Sequence, residues 1–455
     1  MNHEIPNYDG GIVTYPQKFV QVENIQEIQT IMKNTAEFPS PVRAMGSFHS
    51  LTDCASSCGT IIKMSRMNRI HSIDTKRMTI CAEAGAQLVD ASKALRAMDL
   101  QFMTNIEIGN ITLGSAACCQ TKDALDDVVS GQVNSYVIEI KWVDPAGKLR
   151  DASLTRNPGF LYFVRSSYGL CGVIYEVTFR VEPLVPIRFT YIPHKVSDLT
   201  EQDVSKIISA NDGVICWTVG SVAIFECRNS APEVKPLTRW LAAVRRKLWS
   251  FIAAFVGRAI ETYPPSPTVR DLLLKGWFAL LRAGYGIMHR IGGFSLDDPD
   301  KIVDYRETSP AGRYSFTFWA FPREQWLKTL KEYLDFAEDH FREHQFRCNM
   351  PLGSYFIRKD NSSILSYTHD GDIISIDPIH ASTTTDREDW SFFLKKFNDW
   401  ASQRNGIPLL NQSPFIERRH VLAAYGYRLH KIVAWVRGMD PKRRMLNSFF
   451  YGLIK

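Results

Sequence analysis

Apolar and polar positions alternate in two rhythms along the first 185 residues of this chain. Apolar residues at helical spacing follow Asn24 and recur again between Leu88 and Met98, which predicts two helices. Short apolar runs between turn residues predict strands at Val42–Ala44, Gly59–Met64, Met78–Gly85, Val137–Val143 and Tyr175–Val181. Many short strands with helices between them are typical of an α+β domain.

The same alternation continues after residue 186, with a different order of elements. Strands are predicted at Val214–Val219, Tyr314–Phe321, Gly353–Asp360, Ile364–Tyr367 and Ile373–Ile379, and helices at Glu324–His344, at Asp386–Arg404 and from about His420. We interpret residues 1–185 as one domain, 186–405 as a cap domain built from a sheet and helices, and 406–455 as a segment that returns to the first domain.

A basic segment, residues 235–291, interrupts the cap. Apolar residues recur there at helical spacing, and Pro264–Pro267 separates two predicted helices. The segment contains ten Lys or Arg and two acidic residues. Its net charge is therefore +8, compared with +6 for the whole chain. Two interpretations stay open: cap helices with a solvated basic face, or a peripheral contact with an anionic membrane or a lipid substrate. Nucleic acid is not expected, because no recognition motif is present.

Length and cysteine usage narrow the class of protein. A chain of 455 residues is long enough for two to three domains. Its nine cysteines are an odd number without zinc-type spacing, so we expect no disulfide framework and no metal site. No signal peptide and no stretch of about 18 uncharged apolar residues is visible. We therefore expect a cytoplasmic protein that meets a membrane at most at its surface.

A turn rich in Gly and Ser, Gly46-Ser47-Phe48-His49-Ser50, lies between two predicted strands. Free backbone N–H groups in such a turn suit phosphate oxygens, and His49 would lie close to the phosphate-bearing ligand. Taken alone, the turn is equally compatible with an ordinary loop. The chain lacks the GxGxxG of a Rossmann unit, so a nicotinamide cofactor is not expected.

With three further motifs, the chain resembles the vanillyl-alcohol oxidase superfamily of PCMH-type FAD-linked oxidoreductases, closest to the aldonolactone and alditol oxidases. These motifs are Ile111–Ala116, Gly169–Ile174 and the closing Asp440-Pro441-x-x-Arg444-x-Leu446-Asn447. The resemblance covers residues 12–183 well and 310–455 more loosely. It implies a two-part PCMH-type FAD-binding domain, a cap and bound FAD, linked covalently through its 8α-methyl to His49.

The resemblance also implies which residues surround FAD. They are Met45, Gly46, Ser47, Phe48, His49 and Ser50 in the turn, Ile111, Thr112, Ser115 and Ala116 beside the flavin ring, and Gly172, Val173 and Ile174 near adenine.

Two departures from the family concern the substrate. Where the oxidases of sugar lactones and alditols carry Glu-x-Arg on a cap strand, this chain has Gly353-Ser354-Tyr355, ahead of Phe356-Ile357-Arg358. Where they carry Pro-His-Trp-Gly-Lys, this chain has Pro408-Leu409-Leu410-Asn411-Gln412. The family's acid, arginine and lysine are therefore absent from the matching positions, and the leucine pair predicts a more apolar pocket.

Four residues are candidates for contact with the substrate. Tyr355 could accept a proton, Asn411 and Gln412 could orient a hydroxyl group, and Arg358 could bind an anionic group. Asp377 and His380 follow a strand that faces the expected cleft, and the sequence does not assign them a role.

These observations predict an FAD-dependent enzyme that oxidises a CH–OH group by hydride transfer to flavin N5. The substrate is expected to be apolar, lipid-linked or a natural product, with O₂ or a quinone or cytochrome as electron acceptor. Three alternatives stay open: oxidation of a C–N or C–C bond by a tailoring enzyme or epimerase, sugar-lactone oxidation, and a binding protein without catalysis.

Overall fold

A computed structural model describes residues 4–104, 106, 109–122, 132–231, 234, 236–262, 266–296, 313–383 and 386–454, with the side chains of 245–251 and 253 left out. Lys235 and the start of Pro264–Pro267 in the predicted basic segment lie outside the described residues, as do the side chains of Arg245, Arg246 and Lys247.

Two sheets form the first half of the molecule. A parallel sheet has the strand order β3 (Lys18–Gln21), β5 (Thr60–Lys63), β4 (Val42–Met45). The second sheet is antiparallel, and β8 (Leu100–Phe102) pairs with one of its strands, β11 (Val173–Pro183). Its main path is β10 (Leu149–Ser153), β9 (Val137–Val143), β11, β7 (Thr79–Glu83), β6 (Ile70–Asp74). A hairpin of β1 (Ile5–Pro6) and β2 (Val13–Thr14) precedes both sheets.

Four helices cover these sheets: α1 (Ile25–Lys33), α2 (Leu88–Arg96), α3 (Leu113–Cys118) and α4 (Pro158–Val164). The predicted start of α1 is confirmed, because the Asn24 side chain caps it by accepting a hydrogen bond from the Glu27 N–H. Its buried face, Ile28, Ile31 and Met32, joins the core of the two sheets. This α+β core positions the turn after β4 and the short helix α3.

The cap is one large antiparallel sheet. In the described residues its strand order is β15 (Phe294–Leu296), β12 (Ile187–Lys195), β14 (Val222–Ser230), β13 (Gly213–Val219), β18 (Leu352–Ile357), β19 (Ile373–Ile376), β17 (Trp319–Pro322), β21 (Ile407–Pro408). Its helices are α5 (Glu201–Ser209), α8 (Trp326–His344) and α9 (Arg387–Ser402). The middle strands β13, β18 and β19 bring the cap residues to the site.

Three predicted strands are wrong in detail. Ile373–Ile379 is divided into β19 and β20 (Ile379–His380), with Asp377 and Pro378 between them. Tyr314–Phe321 is broken into β16 (Ser315–Phe316), which pairs with β20, and β17 in the large sheet. The Ser413 hydroxyl donates to the Phe318 carbonyl at the break. Residues Ile364–Tyr367 form turns instead of a strand, because buried Arg428 donates to the carbonyls of Ile364 and Ser366.

The basic segment forms a helical hairpin of α6 (Pro236–Thr262) and α7 (Pro267–Arg290), as predicted from its periodicity. Ala242, Ala254 and Tyr285 are buried in the apolar cluster on the adjacent face of the cap sheet. The described residues contain no helix that is both long enough and apolar enough to cross a membrane. The expected cytoplasmic location stays a prediction.

The C-terminal segment contains α10 (Arg418–Met439) and α11 (Ser448–Ile454) and returns to the first domain. Asp440 accepts hydrogen bonds from the N–H groups of Arg444 and Met445, both at 2.7 Å. Arg444 then donates to the Ile31 carbonyl, and Asn447 to the carbonyls of Asp53 and Ser56. The closing motif therefore fastens the end of the chain beside the Gly46–Ser50 turn.

Candidate active site

One cavity lies between the Gly46–Ser50 turn and the middle of the cap sheet, and it encloses about 1690 Å³ together with its open mouth. Both halves of the molecule line it: the turn and the α3 segment on one side, and Trp217, Tyr355 and Asp377 of the cap on the other.

The turn that follows β4 forms one wall. Gly46 must be glycine, because a Cβ there would lie 2.3 Å from Thr112 Oγ1 and 2.9 Å from Ser115 Oγ. The Ser47 hydroxyl donates to the Asn110 carbonyl, and Lys63 donates to the Gly46 carbonyl. These contacts hold the turn closely against the segment before α3.

His49 presents to this cavity an imidazole in which one nitrogen has no hydrogen-bond partner in the described part of the chain. Its Nε2 is buried and has no hydrogen-bond partner among the described residues. Burial lowers the pKa of His49 to about 4, helped by the positive charges of Lys63 and Arg313 and opposed by the Asn110 side chain. The imidazole is therefore neutral at pH 7 and able to act as a nucleophile or ligand.

Most residues predicted to surround the cofactor line the cavity, and three do not. Gly46, Ser47, Phe48, His49, Ser50, Ile111, Thr112, Ser115, Gly172 and Ile174 line it. Met45 instead packs with Phe48 and Ile61, while Ala116 and Val173 are fully buried in the core of the sheets. They support the cavity wall from behind.

The arrangement fits FAD. Gly46 lets the turn lie directly against Thr112, and His49, whose Nε2 has no partner among the described residues, lines the same cavity. Gly172 has a φ of +134°, and a Cβ added there would lie 2.1 Å from the Val143 carbonyl oxygen, so this bend requires glycine. The turn, the α3 segment and the Gly172 bend would hold the cofactor, which would supply a hydride acceptor.

The cap forms the opposite wall, and it is mostly apolar. It consists of Trp217 on β13, Tyr355 on β18, and the side chains of Phe316, Met350 and Ile379. The Trp217 and Tyr355 rings meet edge to face, 6.4 Å apart. An apolar wall of this kind excludes water and favours an apolar substrate.

A buried ion pair interrupts this apolar wall. The Lys122 ammonium donates to Asp377 Oδ2, and the two side chains are only 9% and 2% exposed. Lys122 Nζ lies 4.0 Å from the Phe318 ring centre and 4.2 Å from that of Tyr355, so two aromatic faces also stabilise its charge. The backbone of Asp377 is fixed by hydrogen bonds to Gly353 in both directions, at 2.8 and 3.1 Å.

Asp377 has the properties of a proton acceptor. Burial raises the pKa of Asp377 to about 6, although the charge and hydrogen bond of Lys122 and a hydrogen bond from the Ser375 side chain lower the value. Its second oxygen, Oδ1, is buried and has no hydrogen-bond partner among the described residues. A carboxylate with a pKa near 6 and one open oxygen can take a proton at neutral pH.

Three of the four residues predicted to contact the substrate line the cavity, and one does not. Tyr355, Asn411 and Gln412 line the cavity, whereas Arg358 is exposed beyond the end of β18 and lies outside it. The side-chain amide of Asn411 donates to the Gln120 carbonyl, and the backbone carbonyl of Asn411 accepts from the Leu51 N–H. The side-chain oxygens of Asn411 and Gln412 have no partner among the described residues.

The structure corrects the expectation for Leu409 and Leu410 and gives His380 a position. Leu409 and Leu410 do not make the pocket more apolar, because both are buried in the cores on either side of the sheet. His380 has a structural position: its Nε2 lies 2.7 Å from Asp386 Oδ2, and its Nδ1 accepts from Asn349 N–H.

Sequence reasoning missed Lys122 and left Asp377 without a role. Asp377 directly follows the apolar run Ile373–Ile376 and is a charge at the end of an apolar element, whereas the polar residues Gln120 and Thr121 lie between α3 and Lys122. The signal for Asp377 is visible in the sequence. The pairing of Asp377 with Lys122 is not, because 255 residues separate them.

Comparison with known proteins agrees with this geometry. A family model described as an FAD binding domain matches residues 16–153. L-gulonolactone oxidase from Scyliorhinus torazame is 20% identical over 99% of this chain and 98% of its own length. L-gulono-1,4-lactone dehydrogenase from Mycobacterium tuberculosis is 26% identical, over 40% of this chain and 41% of its own length.

Among solved structures, a cholesterol oxidase from B. sterolicum is similar to this chain with a TM-score of 0.75 and 14% sequence identity, covering 100% of this chain and 97% of that one. At that identity the likeness establishes the fold, which is the predicted α+β fold of a PCMH-type FAD-binding domain with a cap.

Proposed function

We propose that this chain oxidises an alcohol, as a PCMH-type FAD-linked oxidoreductase near the aldonolactone oxidase and dehydrogenase branch of the vanillyl-alcohol oxidase superfamily. The substrate carries its CH–OH group on an apolar or lipid-linked body. This proposal rests on one cavity, in which the Gly46–Ser50 turn faces an apolar wall that contains the buried carboxylate of Asp377.

FAD supplies the hydride acceptor, flavin N5, when it is bound. Asp377 receives the hydroxyl proton on Oδ1 while the hydride leaves the same carbinol carbon, so that the alcohol becomes a carbonyl and two electrons leave the substrate. Lys122 holds the carboxylate in its charged form before the reaction. Trp217, Phe316 and Met350 exclude water around the reacting carbon.

Asn411 and Gln412 complete the proposed site. Each has a side-chain oxygen without a hydrogen-bond partner among the described residues, at the edge of the cavity. An alcohol that donates to one of them would be oriented before its proton moves. The ring of Tyr355 packs against the Lys122 ammonium. In this proposal Tyr355 positions Lys122, and Asp377 instead of Tyr355 accepts the proton.

We also propose that His49 is bonded to the flavin. A neutral imidazole nitrogen joins the 8α carbon, a proton leaves each partner, and the two electrons released pass to the acceptor that reoxidises the enzyme. The low pKa and the unpartnered Nε2 of His49 support this bond. The identity of the electron acceptor, O₂ or a quinone or cytochrome, stays a prediction.

A substrate screen without oxygen tests the function. The flavoprotein is mixed with a sterol alcohol, a long-chain alcohol, L-gulono-1,4-lactone, or amines that present a C–N bond, and loss of the flavin's visible absorbance is followed. Rapid loss with an apolar alcohol supports the proposal. Loss only with the lactone would instead make the protein a sugar-lactone oxidase, and loss only with an amine would favour the tailoring-enzyme alternative.

A further inference from the structure

One face of α7 is apolar, exposed and uncovered. Val269, Leu273, Gly276, Leu280, Gly284, Ile287 and, at the helix end, Ile291 recur every three or four residues. At about 100° per residue they lie within roughly 80° of one another around the helix. Leu280 is 68% and Ile287 59% exposed, and a Cβ added at Gly276 or Gly284 would meet nothing within 4 Å. We call these seven residues the α7 stripe.

The packed side of the helix lies elsewhere. Leu274 and Tyr285 are buried, and Phe278, Leu281 and Met288 pack on the same apolar cluster of the cap. Tyr285 meets Tyr191 with ring centres 5.3 Å apart. The apolar residues of α7 are therefore in excess of those needed to attach the helix to the cap, and the α7 stripe is a second apolar face.

The segment that contains the α7 stripe has a positive net charge. Both acidic residues of the hairpin are neutralised within the protein: Asp271 pairs with Lys275 at 2.6 Å and with Arg347 at 3.0 Å, and Glu261 with Arg270 at 3.8 Å. The segment 235–291 carries a net charge of +8. A long exposed apolar stripe within a basic segment complements one kind of surface, an anionic lipid bilayer.

The hairpin also adjoins the cavity. A Cβ at Gly257 of α6 would lie 3.1 Å from the Asn349 carbonyl, and the next two residues, Met350 and Pro351, line the cavity. Tyr285 belongs to the same apolar cluster as the wall residues Trp217 and Tyr355. A bilayer that meets α7 would therefore lie beside the part of the cap that shapes the substrate pocket.

We propose that the α7 stripe seats the protein on an anionic bilayer, from which the apolar substrate enters the cavity. The helix of 24 residues, about 36 Å long, lies along the surface and does not cross the membrane. The choice of substrate rests on the proposed function. The seating itself does not, since it is read from vesicles that contain no substrate.

Flotation on vesicles tests the seating. The protein is centrifuged with vesicles of phosphatidylcholine alone or with added phosphatidylglycerol. We expect it to float with the anionic vesicles and to do so less in neutral vesicles or high salt. The variant Leu273→Ser/Leu280→Ser/Ile287→Ser should lower the floated fraction by about tenfold or more, since each substitution removes a buried apolar side chain from the lipid.

A matched control removes exposed apolar residues elsewhere. Leu149 and Leu154 are 53% and 48% exposed on the first domain, and Leu149→Ser/Leu154→Ser should float like the parent protein. Protein that stays at the bottom with both vesicles, or a stripe variant that floats unchanged, overturns the proposal. So does a concentration-dependent dimer that the stripe variant abolishes without any flotation, because the stripe would then cover a second copy of the chain.

A second reporter keeps the test valid should the triple variant fail to fold. Leu280→Trp retains an exposed apolar residue, and Leu149→Trp is its control. Brominated lipid in anionic vesicles should quench the added fluorescence at position 280 and leave that at position 149 unchanged. Equal quenching at both positions, or none at either, contradicts seating through the α7 stripe.

Discussion

At the scale of single residues, the reactivity of the site depends on two groups whose burial changes their protonation. Burial lowers the pKa of His49, so its imidazole is neutral at pH 7. Burial also raises the pKa of Asp377 to about 6, although the Lys122 charge opposes this shift. His49 could be predicted from its place in a Gly- and Ser-rich turn. Lys122 and Asp377 could not be paired from the sequence, because only the folding of the cap over α3 brings them together.

Removing the Lys122 charge should move the pH dependence of flavin reduction. In the parent protein the rate falls as the pH falls through about 6, because Asp377 becomes protonated and can no longer accept a proton. Lys122→Met removes the charge that lowers this pKa, so the decline should begin at a higher pH and the rate should recover at alkaline pH. Stopped-flow rates measured over a range of pH read this directly.

Lys122→Arg retains a positive charge and serves as the control, with the decline expected near its original pH. A purely structural ion pair makes another prediction: Lys122→Met would lower the melting temperature but leave the pH of the decline unchanged.

His49→Ala should abolish the covalent bond to flavin. After acid precipitation and gel electrophoresis, the parent protein should give a fluorescent band under illumination, and the variant should release its flavin to the supernatant. Yellow supernatant and a dark band for the parent protein would show that His49 is not bonded to FAD.

At the scale of elements, the period of apolar residues predicted a helix or strand correctly where one face of the element is apolar. It failed to predict the element where polar side chains bind the backbone. Helices α1, α6 and α7 follow the predicted periods. The apolar run Ile364–Tyr367 looks like a strand, yet its carbonyls are bound by Arg428, more than sixty positions away in the chain. Such long-range side-chain contacts are not visible in a local pattern.

Gly46→Ala should weaken the binding of FAD by displacing the turn from Thr112, whose Oγ1 would lie 2.3 Å from the new Cβ. The ratio of flavin to protein absorbance after purification should fall. Gly159→Ala in α4 is the control, since a Cβ there meets nothing within 4 Å.

Adding Thr112→Ala to Gly46→Ala removes the nearest clashing atoms and should restore part of the flavin content. An unchanged flavin content in Gly46→Ala would mean that the close contact of the turn with Thr112 does not shape the cofactor site.

At the scale of the whole molecule, the two domains and the C-terminal segment meet around one cavity. The closing motif links residues near 31, 53 and 56 to residues 440–447, and Arg43 donates to the carbonyls of Cys54 and Met445. The position of the closing motif could be predicted from the resemblance to a family. Its hydrogen bonds to the first domain are visible only in the structure.

Asp440→Ala should therefore lower the stability of the FAD-binding half of the molecule. It removes two hydrogen bonds from the N–H groups of Arg444 and Met445 to a buried carboxylate, which we estimate at about 2–4 kcal/mol. The melting temperature should fall, whereas Asp90→Ala, at a side chain that is 60% exposed, should leave it unchanged. Equal melting temperatures for both variants would contradict a fastening role.

The rate of flavin reduction in Asp377→Asn tests the central claim most directly. With an apolar alcohol that reduces the parent flavin in the absence of oxygen, the variant should keep its full flavin content and reduce it about 10²–10⁴ times more slowly at pH 8. Asp339→Asn, at an exposed side chain, should match the parent. A flavin-replete Asp377→Asn protein that is reduced at the parent rate would contradict the assignment of Asp377 as the proton acceptor in this cavity.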